Sequence, residues 1–198
     1  MALSFEEISH AEFAGGIAAR PLHMLFGHWD SLRGGAVLPE RRRFRPERLP
    51  RDIVPHIGLV RVVRQAGTLT FEYRIIGSAM NPLLGREATR LTLSDREQAD
   101  YCLALHQLYS LAVQTHAAIR WEACNLHYNG DRRCVRRLCL PLAEHEGGRV
   151  GSLLFSSHAE TLKHGERAED FRGDSIMAIA ARRPVQVCAR RPPPAMAA

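Results

Sequence analysis

The sequence predicts an α+β fold in which a five-stranded antiparallel sheet carries helices on one face. The first observation is the order of elements along the chain: two strand-like runs, a helical stretch and three more strand-like runs. The second is the hydrophobic period, which is two residues in the strand-like runs and changes to a helical spacing between them. Apolar residues at 45% and charged residues at 24% are typical of a globular domain, so most of the chain should fold.

The first two strands form a predicted hairpin. Residues 57–64 are rich in valine and isoleucine, and Gly67 follows them at a turn. From Leu69 to Ile75 apolar and polar side chains alternate, which is the pattern of a strand with one buried face. Two such runs around a short turn predict an antiparallel pair.

The helical stretch begins after Gly77. A short helix is expected at residues 79–84, ended by Gly85. Ser94 and Glu97 have the spacing of a capping box and open a helix through about Gln114. Because the apolar positions of this helix go most of the way round it, it should be buried on more than one side.

The last three strands are predicted at residues 116–128, 132–143 and 150–157. Asn129, Gly130 and Asp131 form a strong hairpin turn between the first two of them. Pro141 has no N–H to give to a ladder, so its strand should be bulged or unpaired there. Four arginines alternate in pairs on this strand, so at least one pair should face solvent: Arg132, Arg133, Arg136 and Arg137.

The chain divides into an N-terminal extension (1–20), a domain (21–158) and a C-terminal extension (159–198). The C-terminal extension is expected to be irregular and partly disordered, with a helix around 175–181. The net charge is +6, but the last 17 residues hold four arginines and no acid. Only two of the six net charges therefore belong to residues 1–181, and the basicity is mostly a property of the tail.

An amphipathic helix is predicted to precede the sheet. Pro21 suits its first turn and Gly34 its end. Its apolar residues recur on one face: Leu22, Leu25, Phe26, Trp29 and Leu32. This face must cover either the domain's own sheet or a second subunit. We take Leu25 and Trp29 as candidates for an interaction surface with a protein partner or in a homodimer.

Four segments together resemble the stand-alone PAS-type proteins of alphaproteobacteria: HWDSLRGGAVLPERRRF (28–44), IVPHIGLVRVV (53–63), FEYRIIGSAMNPLLGRE (71–87) and RRLCLPL (136–142). With the five strands numbered along the chain, the resemblance implies a PAS-like sheet in the order 2-1-5-4-3. It also implies a cavity between sheet and helices. The function implied is a sensory or regulatory module for signal transduction, with no effector domain, that acts by protein–protein interaction.

PAS-type domains hold haem, flavin, small organic molecules, metal ions or nothing, so the resemblance leaves the cofactor unknown. His106 on the long helix is the candidate cavity residue for a haem-bound sensor, and a flavin-bound sensor is a further alternative. No histidine or cysteine pair has persuasive metal-ligand spacing. We therefore assign no catalytic and no metal residues and do not expect an enzyme.

A nucleic-acid-binding protein is the alternative from another class. It would use the Arg41–Arg51 segment, which holds six arginines, together with the basic tail. We favour a solvated connection with local ion pairs for this segment. No apolar stretch approaches the length needed to cross a bilayer and no secretory signal is present, so a cytoplasmic bacterial protein is expected.

Overall fold

The computed structural model describes residues 4–6, 14, 17, 19–80, 92–93, 99–128, 131–161, 175–179 and 184–188. Two helices are described over their whole length, α1 (Arg20–Arg33) and α2 (Ala99–Thr115). The strands are β1 (Ser4–Glu6), β2 (Ile57–Gln65), β3 (Thr68–Ile76), β4 (Ala118–Tyr128), β5 (Asp131–Ala143), β6 (Val150–Thr161), β7 (Ser175–Ile179) and β8 (Pro184–Cys188). Short 3-10 turns interrupt the connection between α1 and β2.

The strands form one antiparallel sheet in the order β1-β8-β7-β4-β5-β6-β2-β3. The five predicted strands are β2 to β6. Their order in the sheet, β3-β2-β6-β5-β4, is the expected 2-1-5-4-3. The predicted strand order and the PAS-like α+β fold class are therefore confirmed.

Strands β7 and β8 lie in the segment that was expected to be irregular. The helix predicted around 175–181 is wrong, because Ser175–Ile179 pairs with β4 instead. Pro184–Cys188 in turn pairs with β7, and β1 pairs with β8. The edge of β4 that faces away from β5 offers backbone hydrogen-bond partners. Pairing with this edge overrides the weak helical preference of residues 175–181. The final segment 189–198 lies outside the described residues.

The predicted start and end signals of α1 and of the first hairpin are confirmed. Pro21 lies in the first turn of α1, and Gly34 follows its last residue with a left-handed φ of 54°. Ala66 and Gly67, with φ of 46° and 80°, form the two-residue turn between β2 and β3.

The helical stretch between β3 and α2 is described only in part. Ser78–Met80 forms a 3-10 turn, while residues 81–91 and 94–98 lie outside the described ranges. The helix predicted at 79–84, its end at Gly85 and the capping box at 94–97 therefore receive no structural account. Gly77 is required by a close approach, since a Cβ there would lie 2.1 Å from the carbonyl oxygen of Pro55.

The second half of strand β5 is buried on both of its faces. Leu138, Cys139, Leu140 and Leu142 are all 0% exposed. Successive side chains of a strand point to opposite sides of the sheet, so both sides need a cover. Helix α2 contacts β3, β4, β5 and β6, and α1 contacts β5 and β6. We place α2 on one face and α1 on the other, so the helices are not confined to one face as the sequence predicted.

The candidate interaction residues of α1 belong to this internal contact. Leu25 is 0% exposed and Trp29 is 1% exposed. The Trp29 Nε1–H donates to the carbonyl oxygen of Pro141 at 2.9 Å. Their proposed use as an exposed association surface is therefore corrected. The sequence left open whether the apolar face of α1 covers the domain's own sheet or a second subunit, and in the structure it covers the chain's own sheet.

Pro141 stays in register opposite Leu153, so the expected local unpairing does not occur at this residue. The irregularity comes one residue later, as a register shift between Leu142 and Ala143. In the described ladder the pairing of β4 with β5 ends at Cys139. Pro141 lies two residues beyond this point. Its missing N–H is tolerated there, because β4 no longer pairs with that edge of β5.

We predict that Leu25→Ala lowers the free energy of unfolding by about 2–5 kcal/mol, the cost of removing a fully buried leucine side chain. His23→Ala, an exposed change on the same helix, should stay within about 0.5 kcal/mol. Urea denaturation followed by circular dichroism measures both. Equal stability of the two variants, with a changed oligomeric state for Leu25→Ala alone, would return α1 to an association role.

Candidate functional site between the sheet and helix α2

Aromatic rings line the interior between the sheet and α2. Tyr109 of α2 packs edge-on against Phe71 of β3, with ring centroids 5.3 Å apart, and lies 6.2 Å from the ring of Phe155 on β6. Tyr73 of β3 completes the group, 5.9 Å from Phe155. Such rings supply a large apolar surface, and tyrosine adds a polar hydroxyl to it.

A glycine on β2 makes room for the central ring. Gly58 lies directly opposite Phe155 in the ladder. A Cβ at Gly58 would lie 2.3 Å from the Cζ atom of Phe155, which is far inside van der Waals contact. The Phe155 ring therefore lies across β2, and any larger residue at position 58 would displace it.

Arg137 is a guanidinium buried in this interior at 1% exposure. Its Nε–H donates to the hydroxyl oxygen of Ser157 at 2.7 Å, and its Nη1–H donates to the hydroxyl oxygen of Tyr109 at 3.0 Å. Its Cζ lies 5.1 Å from the centre of the Phe155 ring. A buried charge is costly unless polar groups surround it, and these hydroxyls and the ring face supply such groups. Arg137 thus joins α2 to β5 and β6.

Cys139 lies two residues from Arg137 on the same face of β5. Its thiol is fully buried, and burial raises its pKa to about 12, although the nearby Arg137 charge acts in the opposite direction. The thiolate is the reactive form of cysteine. Cys139 therefore stays protonated at neutral pH and is a packing residue rather than a nucleophile.

His106, the cavity candidate from the sequence, lies on α2 over the edge strand β3. Its Nε2 is 2.9 Å from the carbonyl oxygen of Leu69, and its Nδ1 is 3.4 Å from the hydroxyl oxygen of Ser110. These partners assign the tautomer: Nε2–H donates to Leu69, and Nδ1 accepts from Ser110. Both nitrogens are engaged, so ligation of a haem iron would have to break one of these bonds.

The Arg41–Arg51 segment contains local ion pairs. Arg42 and Arg43 both pair with Glu40, at 2.6 and 3.3 Å. The hydrogen bond from Arg42 is the largest cause that lowers the pKa of the Glu40 carboxyl, so Glu40 remains ionised. This agrees with the favoured solvated connection for these two arginines. The tail arginines of the nucleic-acid alternative lie outside the described residues.

The sequence predicted only that at least one pair of the four β5 arginines faces solvent, and it did not identify Arg137 as buried. Arg136 pairs with Glu122 of β4 at 2.7 Å and is half-buried on the α1 side of the sheet. Arg137 points to the α2 side. One feature of the sequence could have identified Arg137 as buried. It lies on the apolar face of β5, between Val135 and Cys139, both of which are buried.

Within the described ranges, no three histidine, cysteine or acidic side chains come close enough to hold a metal ion. Likewise, neither helix described here combines the length and the hydropathy needed to cross a membrane.

Comparison with known proteins gives one match. A family model described as a PAS domain matches residues 17–154, which include α1, α2 and most of the β2–β6 sheet. No curated protein and no solved structure matches significantly.

We predict that Arg137 and Tyr109 are energetically coupled. Tyr109→Phe and Arg137→Met should each lower the free energy of unfolding, and the double variant should lose about 0.5–3 kcal/mol less than their sum, because the shared bond is lost only once. Denaturant titration of the four proteins measures this coupling. Arg136→Met, on the opposite face of the sheet, should be additive with Tyr109→Phe. Additivity in both cycles would remove the Arg137–Tyr109 bond from the site.

Proposed function

Because the chain belongs to the PAS domain family, we propose that it is a sensory or regulatory module that acts by protein contact and binds a small molecule between the sheet and α2. The observation that carries this proposal is the buried Arg137, bonded to Tyr109 and Ser157 inside an aromatic interior. Mainly apolar surroundings with a few fixed polar groups are the usual composition of a small-molecule site.

The polar groups indicate what such a ligand would need. Guanidinium N–H groups are donors only, so a ligand would meet Arg137 with a carbonyl, carboxylate or hydroxyl oxygen. The surrounding rings of Phe71, Tyr109 and Phe155 favour a flat apolar body. The proposed ligand is therefore a small organic molecule with an oxygen acceptor at one end.

Helix α2 is the element through which binding would be transmitted. Among its described side chains, Tyr109 accepts a hydrogen bond from Arg137, and His106 donates one to the Leu69 carbonyl. A ligand that competes for the Arg137 donors removes one of these contacts and shifts the population toward a different placement of α2.

The outer side of α2 is the proposed contact surface for a protein partner or a second copy. Leu103 of α2 is 59% exposed, which leaves a large apolar side chain in water. Leu103 lies on the same helix as Tyr109, so a shift of α2 on ligand binding would also move the proposed partner surface. This assignment replaces the α1 surface, whose apolar residues are already covered.

The alternative functions have less support. A haem sensor through His106 has to break a histidine contact that the fold already uses. A nucleic-acid surface along the Arg41–Arg51 segment has to compete with Glu40 for Arg42 and Arg43. A visible absorption spectrum of the purified protein tests the first, and retention on heparin at low salt tests the second.

Native mass spectrometry of the protein purified from the cells that make it tests the ligand. We expect a non-covalent mass on the chain, and Arg137→Met should reduce its occupancy because the acceptor group of the ligand loses its donor. Arg136→Met is the matched control and should retain it. A bare chain in the wild type, or equal loss in both variants, would argue against an interior ligand.

The contact surface has its own test. Leu103→Glu should abolish self-association or the binding of a co-purified protein, because a carboxylate cannot be buried at an apolar contact without a partner. Gln114→Glu adds the same charge at another exposed position of α2 and should have no effect. Sedimentation velocity of both variants gives the comparison, and identical profiles would exclude this surface.

A further inference from the structure

A cleft lies on the outside of the domain, where β2 and β6 separate. The two strands pair as far as Arg61 and Ser152, while β2 continues to Gln65. The cleft beyond this pair has a volume of about 480 Å³, within the range of small-molecule sites. Its polar lining comes from three parts of the chain: Arg41, Arg61, Arg64, Glu144 and Ser152.

Two of the arginines are fixed by neutral groups. Arg41 Nη1–H donates to the carbonyl oxygen of Phe44 at 3.3 Å, and its Cζ lies 5.9 Å from the Phe44 ring centre. Arg64 Nη2–H donates to the carbonyl oxygen of Val150 at 2.7 Å, across the gap between the strands. Among the described residues neither guanidinium pairs with a carboxylate. Both are therefore positioned without being neutralised.

The charges of the other lining groups are already shared. Arg61 pairs with Glu72, which also accepts from Arg74 at 2.7 Å, so Glu72 keeps a partner if Arg61 turns away. Glu144, the lining carboxylate, pairs with Arg149 at 3.0 Å. The lining as a whole has three arginines against one glutamate, an excess of two positive charges.

This arrangement is held at an electrostatic cost. Burial lowers the pKa of the Arg41 guanidinium, and the charge of Arg45 acts in the same direction. Arg41, Arg61 and Arg64 carry like charges and line the same cleft. An anion between them would offset both effects.

We propose that this cleft binds the diphosphate group of a small molecule. A planar guanidinium matches phosphate oxygens with two parallel N–H donors. Three such groups, Arg41 from the connection before β2 and Arg61 and Arg64 from β2 itself, can surround two adjacent phosphates. The excess of two positive charges would offset most of the negative charge of a diphosphate. The site lies outside the interior assigned above and does not depend on it.

Isothermal titration of the full chain with inorganic pyrophosphate at low ionic strength is the test. We expect saturable binding that weakens with added salt, because the contacts are between charges. Arg41→Gln and Arg64→Gln should each weaken it by about tenfold or more, the size of a lost charge-assisted hydrogen bond. Arg51→Gln, at an exposed arginine outside the cleft, should leave it unchanged. Circular dichroism of each variant checks that it folds.

Two further ligands test which chemical group the cleft recognises. ADP should bind at least as tightly as pyrophosphate, since it carries the same diphosphate, and tighter binding would identify a nucleoside as the carrier. Citrate should bind more weakly. The proposal is overturned if pyrophosphate shows no binding, if citrate binds equally well, or if Arg51→Gln weakens binding as much as the cleft variants do.

Discussion

The burial of the second half of β5 on both faces is the constraint on which the rest of the structure depends. Leu138 and Leu140 point away from α2 and are nevertheless completely buried. A sheet with helices on one face alone would leave these leucines in water, at a cost of about 1.5–3 kcal/mol for each side chain. Helix α1 is therefore part of the domain, and the Trp29–Pro141 hydrogen bond fixes it against β5. An apolar helix that resembles an association surface in the sequence is here a second layer of the core.

The local elements could be predicted because their signals are local. Period-two alternation gave β3, the turn at Gly67 gave the first hairpin, and Pro21 and Gly34 gave the bounds of α1. A hydrophobic period shows that a face is buried, but it does not show what covers that face. The same limit applies to β7. This segment forms a strand because it pairs with the edge of β4, and the sequence of β7 alone does not show that this edge is open to pairing.

The candidate site depended even more on tertiary structure. Arg137 reaches its two hydroxyl partners from 20 and 28 positions away in the sequence, so no local pattern could show that its charge would be tolerated inside. Three of the described arginines illustrate different environments: the core for Arg137, an ion pair with Glu40 for Arg42, and a carbonyl contact in the cleft for Arg64. Composition and net charge do not distinguish them, because the partner decides what each guanidinium does.

The proposed interior and cleft sites share one pair of strands. Phe155 lies over Gly58 on the inner side of the β2–β6 ladder, and Arg61 opposite Ser152 marks the point where the same ladder opens into the cleft. A ligand that drew Arg61 and Arg64 together would act on this opening. Any resulting change in the ladder would reach Phe155, whose ring fits only because position 58 has no side chain. Since coupling between two binding sites is reciprocal, an interior ligand would then change the affinity of the cleft by the same factor.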